Sequence, residues 1–101
     1  MKYYTIQEVS KLLNVPAATL RYYNNLGMYE ITRSDIGRRL YSKETIERIK
    51  EIVDLKQTGI SLKEIKIYLD LPQNKKIEMM KNQKQNLKQT LKIIDNYIEE
   101  N

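Results

Sequence analysis

In the segment ATLRYYNNLGM, Arg21 and Tyr22 stand one helical turn beyond Ala17 and Ala18. On a helix these four can share a face while Leu20 and Tyr23 point inward. Such a face suits contact with an anionic polymer. Two alanines let the backbone approach a groove closely, and a methyl can touch thymine. Arg21 can reach a phosphate or the acceptor pair of guanine, and Tyr22 can donate its hydroxyl to a phosphate. The same residues fit an ordinary amphipathic helix with an exposed arginine and two tyrosines at the core boundary. A second basic group, Arg33, Arg38 and Arg39, is diluted only by Asp35. Three guanidiniums on a mobile loop can straddle a phosphate backbone or enter a minor groove. Taken alone, they also fit a solvated charged loop.

Other chemistries are closed off by composition. The 101 residues contain no cysteine and no histidine, which removes disulfides, thiolate metal sites, iron–sulfur clusters and the commonest general base. No metal site and no cofactor are expected. Asp, Glu, Ser and Tyr are present, but no spacing joins them into a nucleophile, base and orienter, and no glycine loop could cradle a phosphate; the chain is not read as an enzyme. Eight tyrosines without Phe or Trp are too scattered to suggest an aromatic ligand cage. The formal net charge of +5 favours an anionic partner. MKYYTIQEVSKLL carries no long apolar run after its charge, so neither a signal peptide nor a membrane span is expected and a cytoplasmic location is the default.

The elements that must position these residues are well punctuated. Thr5 with Glu8 forms a possible capping box, followed by Ile6, Val9, Leu12 and Leu13 at helical spacing, so helix 1 runs from Ile6 to Leu13. Asn14 and Val15 make a turn, Asn tolerating the left-handed conformation. Pro16 suits the start of helix 2, which runs to about Asn24 or Asn25 and is stopped by Gly27. From Met28 to Tyr41 the helical period is lost, and β-formers (Tyr29, Ile31, Thr32, then Leu40, Tyr41) flank Ser34–Gly37: a two-stranded hairpin. Ser42 caps helix 3, from Lys43 to about Gln57, with Ile46, Ile49, Ile52 and Val53 buried; Gly59 ends it. Ser61 with Glu64 is a second capping box, opening a short helix 4 with Leu62, Ile65 and Leu69, and Pro72 forbids its continuation.

From about Gln73 to Glu100 the pattern changes. Ile77, Met80, Lys84, Leu87, Leu91, Ile94 and Ile98 step by three and four alternately, a heptad seam with one polar member, Lys84. This helix would be roughly 40 Å long. With no chain left to cover so narrow a seam, a homodimer is expected. A helix folded back on its own domain is the competing arrangement.

YTIQEVSKLLNV, TLRYYNNLGM, GRRLYS and KQTGISLKEIK, in that order, resemble the DNA-binding domain of the MerR family over roughly residues 3 to 70, with the long helix in the family's expected place. The resemblance implies a mostly α fold: a winged helix-turn-helix with a small β-hairpin wing, a second helix pair, and a long C-terminal helix that pairs antiparallel with its twin. Residues 1–71 would bind DNA and 72–101 would dimerise. Carried over by position, Arg21 and Tyr22 match recognition-helix contacts, Arg39 the wing arginine, and Tyr41 a wing-end tyrosine that packs and touches phosphate. Ser61 and Lys63 match a backbone-contacting helix start. The implied activity is transcription regulation as a homodimer on pseudo-palindromic double-stranded DNA, distorting an overlong promoter spacer so that RNA polymerase engages both elements.

Three departures stand out. Arg38 occupies the position after the wing glycine where an aromatic is common, Pro16 replaces a capping serine, and neither sensor cysteines nor a further domain follows the long helix, so no effector is identified. An excisionase-like architectural protein shares the winged helix but has no need of a long coil. A coiled-coil interaction adaptor with a merely solvated basic face is the reading from another class.

Overall fold

The computed structural model describes residues 2–100, and Met1 and Asn101, the outer ends of the two expected domains, lie outside the described residues. Five helices and one hairpin follow in the expected order: α1 (Ile6–Leu13), α2 (Ala17–Asn25), β1 (Thr32–Arg33), β2 (Arg39–Leu40), α3 (Lys43–Gln57), α4 (Leu62–Leu69) and α5 (Gln73–Glu99). The chain forms two compact units that divide after Leu55, within the last turns of α3.

In the first unit, α1 starts on a complete capping box. Glu8 N–H donates to Thr5 Oγ1 and Thr5 N–H to Glu8 Oε1, at 3.2 and 2.9 Å, satisfying two orphan donors reciprocally. The helix ends at Asn14, left-handed at φ 54°, where a short polar side chain is tolerated. Ser10 secures this turn: its backbone oxygen accepts from Val15 N–H and its hydroxyl donates to Val15 O. Pro16 is the N-cap of α2, with extended ψ and no side-chain cap. The helix nevertheless starts there, because its O accepts from Thr19 and Leu20 N–H. Gly27 at φ 74° then turns the chain out of α2 in a conformation that would strain a side chain bearing Cβ.

Val9, Val15, Leu20, Tyr23, Met28, Tyr29 and Tyr41 are buried with Ile46, Ile49, Ile52 and Leu55 of α3. Two expectations change here. Leu55 completes the buried stripe of α3 and Val53 is only half-buried, because steps of three let the covered stripe drift around the helix. Leu12 is exposed; Val9 and Leu13, one turn apart, take the inward face of α1. Ser42 caps α3 as expected, accepting from Thr45 N–H at 3.1 Å, and Arg48 Nε donates to Met28 O at 2.8 Å, pinning α3 to the segment that leaves α2.

In the second unit, Gly59 ends the α3 turn at φ 90° and Ser61 caps α4, its hydroxyl accepting from Glu64 N–H. Ile60 and Ile65 are buried. Gln83 Nε2 donates to Thr58 O at 2.8 Å and Lys76 Nζ lies 5.3 Å from the centre of the Tyr68 ring, so the first half of α5 is held by side chains of its own unit. Lys76, Met79, Met80 and Gln83 are accordingly half-buried. No residue of α5 is fully buried.

Candidate nucleic-acid interface

The outward face of α2 carries Ala18, Arg21 and Tyr22 exposed, with Ala17 half-buried beside them, while Leu20 and Tyr23 point into the core. This is the split that the spacing requires. Tyr22 rests its ring 6.0 Å from that of Tyr23 and leaves its edge in solvent.

The hairpin places its arginines differently from the expected mobile tip. Arg33 and Arg39 lie in the strands, directly opposite each other in the antiparallel register, and Thr32 faces Leu40. Only Arg38 belongs to the turn. That turn is tied rather than loose: Ser34 N–H donates to Arg38 O, Gly37 N–H to Ser34 O, Arg38 N–H to Ser34 Oγ, and Arg33 Nη1 to Gly37 O at 2.8 Å. Directly opposed like charges cost stability in a strand pair, and an anion placed across them would relieve it.

Tyr41 is a correction. Its side chain is fully buried, so it offers no phosphate contact. It acts through packing and one hydrogen bond. Tyr29 Oη donates to Leu20 O, in the middle of α2, at 2.5 Å. With its one proton so committed, Tyr29 accepts from the Tyr41 hydroxyl 3.2 Å away. Burial, and then the neighbouring Tyr41 hydroxyl, push the Tyr29 phenol well above its ordinary value, with the Arg39 charge pulling the other way. Tyr29 therefore keeps its proton, and the pair ties α2 to the end of the hairpin. Tyr41 also exchanges two backbone bonds with Tyr4, at 2.8 and 2.9 Å, which fastens the lead into α1. The β-formers Tyr3 and Tyr4 before the Thr5 cap were the sequence signal for that bridge.

Asn24 was absent from the sequence-derived set. Its Nδ2 donates to Tyr29 O at 3.1 Å and its Oδ1 accepts from Arg39 Nε at 3.3 Å. An asparagine near a helix end gives no sequence signal for either bond.

In the second unit Ser61 and Lys63 are exposed at the start of α4, where the first-turn N–H groups favour an anion. Ile77, Leu87, Leu91, Ile94 and Ile98 are exposed along α5, Lys84 is exposed between them, and Met80 is half-covered. Ile93 and Tyr97 add apolar surface beside the expected seam. Among the described residues no group of three His, Cys, Asp or Glu could hold a metal ion, and no helix is long and apolar enough to cross a membrane.

Residues 4–71 match the MerR helix-turn-helix family of regulatory proteins. The chain is 31% identical over 97 residues to the HTH-type transcriptional activator mta of Bacillus subtilis (strain 168), a match that spans 95% of this chain and 38% of that protein. Among solved structures, the N-terminus of MtaN, the Bacillus subtilis multidrug transporter activator, aligns at a TM-score of 0.65 and 29% identity, covering 94% of this chain and 97% of that one. HiNmlR, a MerR family regulator lacking the sensor domain and bound to promoter DNA, shares the fold at a TM-score of 0.77 and 24% identity, over 97% of this chain and 80% of that one.

Proposed function

The chain belongs to the MerR family of helix-turn-helix regulatory proteins, and from that premise we propose that it binds double-stranded DNA as a homodimer and regulates transcription from the promoter it occupies. Members of this family are regulators rather than enzymes. The observation that carries the DNA reading is the pair of arginines held directly opposite each other on the hairpin, Arg33 and Arg39, with Arg39 bonded to the helix that exposes Arg21 and Tyr22. A polyanion is the partner that relieves the opposed charges and uses the adjacent helix face.

In this reading α2 enters a major groove, where Ala17 and Ala18 permit close approach, Arg21 reads a base edge or phosphate and Tyr22 donates to phosphate. Arg33, Arg38 and Arg39 neutralise flanking backbone, and Ser61 and Lys63 meet a further phosphate at the start of α4. Residues 1–71 carry recognition and 72–101 carry pairing, through Ile77, Met80, Lys84, Leu87, Leu91, Ile94 and Ile98. Lys84 lays its stem across the seam, keeps its ammonium in water and helps set register. Two copies related by a two-fold axis require a pseudo-palindromic site. A MerR regulator is solved on promoter DNA, and the mode proposed for this chain is deformation of an overlong promoter spacer, with groove and backbone contacts offsetting the deformation energy.

The test is a fluorescence-anisotropy titration of duplex DNA at several salt concentrations. Affinity is expected to fall steeply with salt, each neutralised phosphate adding about 0.9 to the log–log slope. Arg21→Ala should cost about 1–3 kcal/mol of discrimination if it reads a base. Absence of duplex binding at low salt would end the DNA reading, and full affinity in Arg21→Ala would remove that residue from recognition.

A further inference from the structure

Asn24 occupies the last turn of α2, half-buried, and both ends of its amide are engaged within the first unit. Nδ2 faces the Tyr29 carbonyl and Oδ1 faces Arg39 Nε. The flip is unambiguous on chemical grounds. A guanidinium N–H never accepts and a backbone carbonyl never donates, so the reverse orientation would lose both bonds.

The consequence falls on Arg39. The tie to Asn24 uses Nε alone and leaves the two Nη groups, the fork that matches a phosphate or a guanine edge. A free arginine side chain loses rotamer freedom when it binds. Here part of that ordering is already done in the isolated protein, and done by a residue of α2. Arg33, the cross-strand partner, is fixed differently, by its own turn through Gly37 O. The two strand arginines of the hairpin are thus oriented by separate anchors, and of these Arg39 is the one tied to the helix.

We propose that Asn24 is a positioning residue for DNA binding: it touches no nucleotide itself and acts by holding the Arg39 guanidinium on α2, so that helix and wing engage the duplex in one fixed relation. This rests on the reading that Arg39 contacts DNA.

The experiment is a double-mutant cycle on the full chain. The probe is a fluorescein-labelled duplex carrying the site that the unsubstituted protein enriches from a random-sequence pool at low salt. Arg39→Ala should weaken binding about tenfold and lower the salt slope by about 0.9. Asn24→Ala should weaken it by about three- to tenfold, and by less than about twofold once Arg39 is already alanine. Equal cost of Asn24→Ala with and without Arg39, or no cost at all, overturns the proposal, because a general loosening of α2 would not depend on Arg39. Arg39→Lys asks the same question without altering α2: the ammonium keeps the charge but has no Nε to be held with its fork presented. It should keep the original salt slope while losing about tenfold in affinity, and full affinity for this variant also overturns the proposal. If Arg39→Ala itself changes nothing, the wing-contact reading has failed and the inference falls with it. If Arg39→Ala weakens binding while Asn24→Ala does not, the inference alone has failed.

Discussion

The first unit and α5 handle apolar surface in opposite ways. In the first unit Leu20, Tyr41, Ile49 and Ile52 are buried by their own neighbours, and the Tyr29 and Tyr41 hydroxyls find partners in each other and in Leu20 O. Along α5, Leu91, Ile93, Tyr97 and Ile98 are each more than half exposed. The first region carries a core sufficient to fix the recognition elements. The second carries a hydrophobic seam that the described residues leave exposed, and the proposed pairing rests on that surface.

The comparison breaks most visibly in the seam. Leu87→Asp combined with Ile94→Asp should halve the mass seen by light scattering and weaken duplex binding about a hundredfold or more, since two linked half-site contacts become one; unchanged mass and affinity would refute pairing through this face. Next in size is a contrast between two leucines. Leu20→Ala should cost about 2–5 kcal/mol in urea unfolding, independently of protein concentration. Under the proposed pairing, Leu91→Ala should cost stability in a concentration-dependent way. A concentration-independent loss for Leu91→Ala would place its cover within the chain.

A smaller effect sharpens the account of the polar network. Tyr29→Phe should cost about 1–3 kcal/mol, the price of leaving the Tyr41 hydroxyl and Leu20 O without their buried partner. The sign with pH follows from the raised phenol. Tyr29 holds its proton more tightly folded than unfolded, so its contribution is complete below the ordinary tyrosine value near ~10 and is lost as pH rises beyond it, by up to about 1.4 kcal/mol per pH unit. Urea midpoints measured across alkaline pH should fall less steeply in Tyr29→Phe. The smallest effect belongs to α5 again: Lys75 and Glu78 meet at 3.5 Å with both side chains exposed, and Lys75→Ala should change stability by less than about 0.5 kcal/mol.

Most of the fold was legible because local signals agreed with one another. Thr5 with Glu8, Ser42, Gly27 and Gly59 bounded helices that formed within a residue of expectation. The inward and outward residues of α2 followed directly from helical spacing. What escaped were long-range details. Arg33 and Arg39 moved from a loose tip into paired strands, Tyr41 moved from a contact surface into the core, and Asn24 entered the site through partners five and fifteen residues away.

The sequence by itself determined the order of elements, the basic character of two of them and the heptad seam of the last, because capping, turn chemistry and hydrophobic period act over a few residues. Only the tertiary structure decided which tyrosine is buried, which arginine is tied to the helix and which leucines go uncovered. Those outcomes depend on the distance between side chains far apart in the chain, and no local period records it.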